Sequence, residues 1–318
     1  MRIWIIGARG LFGSALARVA APGGHAVTTS RHVPWEEPEQ ALEHLFSDAH
    51  KFIKKGQDPT PWGIAWAAGH VTTASSSESA DQELDLFTGF IAGLTSVINE
   101  LDAPARGKFL LASSAGGIYG GASNPPFCAD TKPNPVGPYG ALKLAQEEVA
   151  REYLSGCMDV TVARLANLYG PGQDLAKLQG LISRLALSAV TREPLTMFVP
   201  LDTLRDYIYV DDASRLALHW LTTDSSPSQI RVIASGQPTS LGQLISLMQD
   251  IAHSRIPVAY GLHPSAALQS PDLRLVPDHD QKTQSYAPMP LPAGMKLVYQ
   301  DMLERTQQGA YSISVPID

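Results

Sequence analysis

The first twenty-one residues place the strongest constraint on the fold. "RIWII" (2–6) is a short apolar run, "GARGLFG" (7–13) follows with glycine at 7, 10 and 13, and "SALARVAA" (14–21) has helical spacing. A short apolar run stopped by glycine reads as a buried strand, and the chain must then turn tightly into a helix. Glycine in such a turn lets backbone N–H groups approach a ligand closely, and the N-terminus of the following helix favours negative charge. The stretch predicts a strand–turn–helix unit whose turn, Gly7, Arg9, Gly10, Leu11, Phe12 and Gly13, holds a pyrophosphate.

The alternation continues. Further apolar strands are expected at 25–30, 62–69, 108–114 and 158–170, with helices at 38–55, about 80–101 and from 139 onward. Strands alternating with helices build a parallel sheet covered on both faces, an α/β doubly wound fold, with its ligand beyond the carboxyl ends of the strands. The loops to watch then begin at Gly7, Ala67, Ser113 and Ala166. The last third is richer in proline and serine, as in "HPSAALQSPDL" and "YAPMPLPAG", with helical segments at 211–222, 240–253 and 294–307. The expected division is a dinucleotide-binding domain at 1–170, to which 205–235 returns, and a smaller substrate-binding lobe from 171–204 and 236–318.

Composition narrows the classes. An apolar share of 44%, a charged share of 17% and a net charge of −7 without a basic run describe a globular chain with no nucleic acid partner. The longest apolar stretch, "FTGFIAGLTSVI" (87–98), falls short of the ~20 residues of a membrane span, and the N-terminus lacks a signal-peptide core. Cys128 and Cys157 stand alone, and the nine histidines are scattered without ligand spacing, so no metal is expected. Together these features read as a cytoplasmic chain with no membrane association.

The second strand ends in "TTSRH", where Ser30 and Arg31 stand and no acid does. An acid there would bond an unphosphorylated ribose, whereas arginine accommodates a 2′-phosphate, so NADP is the expected cofactor and NAD the alternative. Arg9 is a second cation able to reach that phosphate. "AWAAG" supplies Ala67, Ala68 and Gly69 to the cofactor loop, and "LLASSAGGIYG" ends a strand with Ser113 and Ser114. Serine hydroxyls both donate and accept, and can orient a carbonyl or an alkoxide. In "NPVGPYGALKLAQEEVAREY" (134–153), Tyr139 and Lys143 stand four apart, which places them on one helix face. An ammonium beside a phenol favours the phenolate, and a phenol so tuned can take a proton from an alcohol as hydride leaves its carbon.

In that order, "GARGLFG", "AWAAG", "SSAGGIYG", "PYGALK", "RLANLYGPGQ" and "LRDYIYVDDA" resemble the extended short-chain dehydrogenase/reductases, the NAD(P)-dependent epimerase/dehydratase family acting on nucleotide sugars. The resemblance covers essentially the whole chain. It implies a Rossmann doubly wound sheet with a smaller C-terminal substrate-binding lobe. It implies Tyr139 as acid/base, Lys143 as its partner on the nicotinamide ribose, and Ser114 on the reacting oxygen, with Ser113 the alternate. Asn167 and Arg205 would lie near the substrate's diphosphate, and the helices around 80–101 and 139–154 would form a homodimer interface.

The chain departs from the family's pattern at several places. Ala115 occupies the usual position of the catalytic serine or threonine, which stands one residue earlier. No acidic third-strand motif is evident between Val33 and Gly63, and Arg274 is the nearest candidate for a further diphosphate arginine. "SSAGGIYG" lacks the Asp-Glu pair of dehydratases, which leaves an epimerase or ketoreductase acting on a sugar carbon. The alternatives are an NADPH-dependent reductase of a non-nucleotide ketone and a non-catalytic dinucleotide sensor. A sensor has no need of the Tyr/Lys pair. His70 is expected as a satisfied loop histidine, Asp206 as structural, and Asp211 or Asp212 as a helix cap.

Overall fold

The computed structural model describes residues 1–30, 32–54, 60–101, 106–176, 179–223, 228–262, 266 and 269–311. In chain order the elements begin β1 (Arg2–Ile6), α1 (Leu11–Ala20), β2 (Ala26–Thr29), α2 (Pro38–Lys54), β3 (Trp62–Trp66), α3 (Ser77–Glu100), β4 (Gly107–Ser114), α4 (Ala115–Tyr119), α5 (Pro138–Leu154) and β5 (Met158–Leu165). They continue as β6 (Asn167–Tyr169), α6 (Leu181–Thr191), β7 (Leu195–Met197), β8 (Leu204–Tyr209), α7 (Val210–Thr223), β9 (Ser228–Ile233), β10 (Pro238–Ser240), α8 (Leu241–Ala252), β11 (Val258–Tyr260), β12 (Asp272–Leu273) and α9 (Leu291–Gln307).

Six strands form the main sheet in the order β2-β1-β3-β4-β5-β9, every neighbouring pair parallel. Successive strand side chains point to opposite faces, and β1 shows the consequence. Ile3 and Ile5 pack into the core beneath α1 and α7, while Trp4 and Ile6 pack into the core beneath α2, α3 and α5. Burial on both faces is why these strands read as continuous apolar runs.

The strand order reverses at β1, with β2 on one side and β3 on the other. After Ile6 the chain turns onto the α1 face, and after Trp66 it turns to the opposite face with α3. The diverging loops open a crevice at the carboxyl ends of β1 and β3, where such sheets bind ligands. Between β2 and β3 the described residues form α2 alone. Among the described residues no strand stands there to carry an acidic third-strand motif.

The stretch 158–170, expected as one strand, divides at Ala166. Its first part, β5, stays in the main sheet, and β6 leaves it to pair with β8 in a second sheet of order β10-β8-β12. Helices α6, α8 and α9 bury a separate core against this second unit. Asn167 therefore stands where the chain crosses from one sheet to the other. Asp206 of β8 is fully buried and accepts the N–H groups of Ser235 and Gly236 at 2.8 Å each, pinning the chain just after β9.

Asp211 and Asp212 lie inside the first turn of α7 and do not cap it. Asp211 pairs with Arg18 of α1, while Asp212 accepts from the Tyr286 hydroxyl and, at 2.6 Å, from the Met289 N–H. Among the described residues no helix is long and apolar enough to cross a membrane.

Candidate active site

One cavity of about 1660 Å³ runs from the glycine loop past Ser114 and Tyr139 to Arg205 and Phe198 in the second unit. That exceeds the ~300–1,000 Å³ of an ordinary single-ligand site and leaves room for two molecules end to end.

The first half is built by the β1–α1 turn. Gly7 has a φ of +88°, and a Cβ there would stand 2.5 Å from the backbone nitrogen of Ala68, so only glycine lets the two loops touch. Gly10 donates to the Gly7 carbonyl at 3.0 Å and precedes α1 without a side-chain cap. The first-turn N–H groups, which no residue of the helix can accept, are left for an anion. Gly7, Arg9, Gly10, Leu11, Phe12, Ala67, Ala68 and Gly69 all line the cavity, whereas Gly13 is packed inward against the Gly7 carbonyl. This arrangement fits a dinucleotide pyrophosphate.

Ser30 also lines the cavity, with its hydroxyl accepting from the Trp4 indole at 2.9 Å. Arg31 lies outside the described residues. Arg9 is exposed on the loop, and His32, Trp35 and Glu36 close the wall beyond it.

The second half of the chemistry sits at the start of α5. Gly137 is the extended residue before the helix and Pro138 opens it, a placement that suits proline's fixed φ and missing N–H. Tyr139 faces the cavity over Gly117, where a Cβ would fall 3.2 Å from the tyrosine ring. Ser114 ends β4 on the same wall, and its hydroxyl accepts the Gly117 N–H at 3.1 Å.

Ser113 also borders the cavity, but its hydroxyl turns into the protein, donating to Glu147 Oε1 at 2.6 Å. Glu147 is bridged by Arg164 on both carboxylate oxygens, and Arg164 also donates to the Tyr119 hydroxyl at 2.8 Å. Burial pushes the Tyr119 phenol above its ordinary pKa, and this phenol donates in turn to the Cys128 carbonyl.

Lys143 does not line the cavity. Its ammonium lies 5.9 Å from the centre of the Tyr139 ring, but it also donates to Gln146 at 2.9 Å and stands 3.6 Å from Glu83 of α3. The i,i+4 spacing sets Lys143 and Tyr139 on one helix face, and the ammonium has these two further neighbours besides the ring. His70 is tied to the same acid, by its N–H at 2.8 Å and its ring Nδ1 at 3.1 Å.

At the far end Asn167 donates to the Asp206 carbonyl at 2.9 Å, and Arg205 bonds the Leu204 carbonyl at 2.8 Å and Gln269 at 3.4 Å. Both line the cavity. Arg205 is buried, pairs with no carboxylate of the described residues, and burial pulls its guanidinium below the usual range. Arg274 is not part of the wall; it pairs with Asp272 through two nitrogens. Arg184 of α6, which the sequence did not single out, does line the cavity. Among the described residues no group of three or more His, Cys, Asp or Glu is placed to hold a metal ion.

The profile of the NAD dependent epimerase/dehydratase family matches residues 3–234, most of the chain. The chain belongs to that family. Relatives include the dTDP-L-rhamnose 4-epimerase of Burkholderia thailandensis, 30% identical over 43% of this chain and 38% of the relative. Another is the UDP-glucose 4-epimerase of Mycolicibacterium smegmatis, 26% identical over 67% of this chain and 70% of the relative. The match spans less than half the length of the first two curated relatives, at 38% and 46%.

Solved structures share the fold at low identity. The UDP-glucose 4-epimerase of Thermus thermophilus in complex with NAD superposes with a TM-score of 0.76 at 19% identity, covering 95% of this chain and 99% of the other. The RMD protein of Pseudomonas aeruginosa complexed with NADPH gives 0.75 at 20%, covering 96% and 99%.

Glu83, Glu147, Arg164 and Arg184 escaped the sequence reading. Two of them carried a signal. Glu83 interrupts the apolar stripe Ala80–Phe87–Ile91 of α3, and Glu147 falls one turn beyond Lys143 on the inward face of α5.

Proposed function

We propose that this protein moves a hydride between a nicotinamide dinucleotide and a secondary alcohol or ketone carbon on the sugar of a nucleotide sugar. The observation that carries the substrate class is Arg205. A buried guanidinium with no carboxylate partner among the described residues, on a cavity wall that Asn167 also lines, is best satisfied by an anionic ligand, and a diphosphate has the charge and the acceptors for it. Relatives named as dTDP-L-rhamnose and UDP-glucose 4-epimerases favour the same class.

In this reading the nicotinamide, when bound, supplies or accepts the hydride. Tyr139 holds or returns the proton at the reacting oxygen, Ser114 orients that oxygen, and Lys143 keeps a positive charge near the phenol. The first-turn N–H groups of α1 hold the pyrophosphate. NADP is the proposed cofactor, because β2 is followed by Ser30 rather than an acid and the exposed Arg9 lines the same cavity. NAD is the alternative, as in the Thermus relative's complex. The lobe of 171–204 and 236–318 closes over the nucleotide, and two copies of the chain pair through α3 and α5.

A thermal-shift panel tests this reading with NADP, NAD and UDP-, GDP- and dTDP-sugars. A nucleotide sugar at about 100 times its Kd should add about 2.7 kcal/mol of stability. If no dinucleotide raises the melting temperature, the reading is wrong; if dinucleotides do and no nucleotide sugar does, the substrate class is wrong. Native mass spectrometry then separates the two reaction types. A dinucleotide retained through purification points to an epimerase, and an empty site to a reductase.

A further inference from the structure

Lys143 carries its charge into a buried place, and the acid that meets it comes from another helix. Glu83 lies on the inward stripe of α3 with its side chain 7% exposed. Its Oε2 accepts the N–H groups of His70 at 2.8 Å and Val71 at 3.0 Å, and its Oε1 stands 3.6 Å from Lys143 Nζ. Gln146 closes the triangle, accepting from Lys143 at 2.9 Å and donating to Glu83 at 3.5 Å. Gly69 lies directly over the pair: a Cβ there would fall 3.1 Å from Glu83 Oε1 and 3.5 Å from Lys143 Nζ.

An acid on an apolar helix stripe is costly unless its charge and lone pairs are met. Here they are met by two parts that a hydride-transfer site must hold in register. One is the loop after β3, which lines the cofactor cavity. The other is the lysine one helical turn beyond Tyr139. Hydrophobic packing alone would place leucine or phenylalanine at this position, as it does at Leu86 and Phe87.

We propose that Glu83 is a positioning residue whose single carboxylate clamps the Gly69–Val71 loop and the Lys143 ammonium to each other, fixing where Lys143 stands beneath the dinucleotide. The inference rests on the proposed role of Tyr139 and Lys143. A glutamine at 83 keeps a carbonyl for the loop N–H groups but loses the charge, and its amide sets a donor toward the ammonium. Glu83→Gln therefore releases Lys143 while leaving the loop largely held. Glu83→Asp keeps the charge but withdraws it by one methylene.

The test compares the wild-type chain with Glu83→Gln and Glu83→Asp. Trace acetic anhydride labels the amines, and peptide mass spectrometry reads Lys143 against Lys51, whose side chain is 74% exposed. Dinucleotide affinity is read with NADP and NAD by quenching of intrinsic tryptophan fluorescence. The expected result for Glu83→Gln is Lys143 labelling raised about fivefold or more and dinucleotide binding weakened about tenfold, with melting close to wild type. Glu83→Asp should fall between.

A residue that merely fills space would lower the melting temperature and leave Lys143 labelling alone. Labelling within about twofold of wild type in Glu83→Gln overturns the proposal. Should that variant not fold, unchanged labelling in Glu83→Asp overturns it equally. A wild-type chain that binds neither dinucleotide defeats the proposed function but leaves the labelling comparison intact. Normal dinucleotide binding with unchanged labelling defeats the clamp alone.

Discussion

Ser113 and Ser114 are adjacent at the end of β4 and their hydroxyls serve opposite sides of it. Ser113 donates into the buried Glu147–Arg164 pair, and Ser114 caps α4 on the cavity wall that it shares with Tyr139. Their order in the strand decides this, since consecutive side chains of a strand leave on opposite faces. Substitution should therefore separate two properties. Ser114→Ala is expected to lower turnover about 10²-fold or more, the usual loss when one oriented donor to a reacting oxygen is removed, at a cost of about 1 kcal/mol for the lost cap of α4. Ser113→Ala should leave turnover within a few-fold and cost about 1–3 kcal/mol, because Glu147 loses a buried donor. Steady-state rates and urea denaturation check both, and the reverse pattern would assign the reacting oxygen to Ser113.

Tyr139→Phe removes one oxygen atom and keeps the ring that packs on Gly117. The variant should bind dinucleotide as wild type does and lose about 10²–10⁴-fold in turnover, the range for a positioned acid/base. Fluorescence titration and rate measurements on the same preparation decide it. Full retained turnover would remove the phenol from the mechanism.

Much of this arrangement was legible in the residues, and the reason is local. The strand–glycine–helix start needs only neighbours in sequence, and Tyr139 and Lys143 need only the helical repeat. What the sequence could not supply are contacts between elements far apart in the chain. Lys143 reads as the partner of Tyr139, and only the packing of α3 brings Glu83 beside it; Arg274 reads as a candidate diphosphate ligand until Asp272 takes it. The split of 158–170 into β5 and β6 was hidden for a related reason. Both pieces are apolar and β-prone, and only their partners, β9 and β8, show that they belong to different sheets.

Arg205 offers a test in which binding and stability move in opposite directions. Its guanidinium is buried, with burial lowering its pKa and Tyr207 and Asp272 only partly opposing that. A buried charge with no paired carboxylate among the described residues carries a desolvation cost, which an apolar group of similar length removes. Arg205→Met should thus melt at or above the wild-type temperature. Its affinity for whichever nucleotide sugar scores in the thermal-shift panel should fall about 10–150-fold, equivalent to the ~1.5–3 kcal/mol of hydrogen bonds to a charged group. A variant that loses stability and keeps affinity would make Arg205 a structural residue.

Alkaline titration tests the packing of the two cores rather than the site. Burial raises the phenols of Tyr119, Tyr169, Tyr207 and Tyr209 above 10, and it raises Tyr286, with Asp212 beside it, to about 12. The folded chain therefore holds protons that the unfolded chain releases near pH 10. The associated stability is fully present below that pH and is lost as pH rises through the folded values, from about 10 toward 12 and beyond. Each deeply buried phenol contributes a slope of up to about 1.4 kcal/mol per pH unit, and the partly exposed Tyr286 contributes less because water screens it. Urea midpoints from about pH 8 to about pH 11 should stay level at first and then fall. Ultraviolet difference spectra should show these five phenols ionising only as the chain unfolds, and their ionisation near pH 10 with the fold intact would contradict their burial.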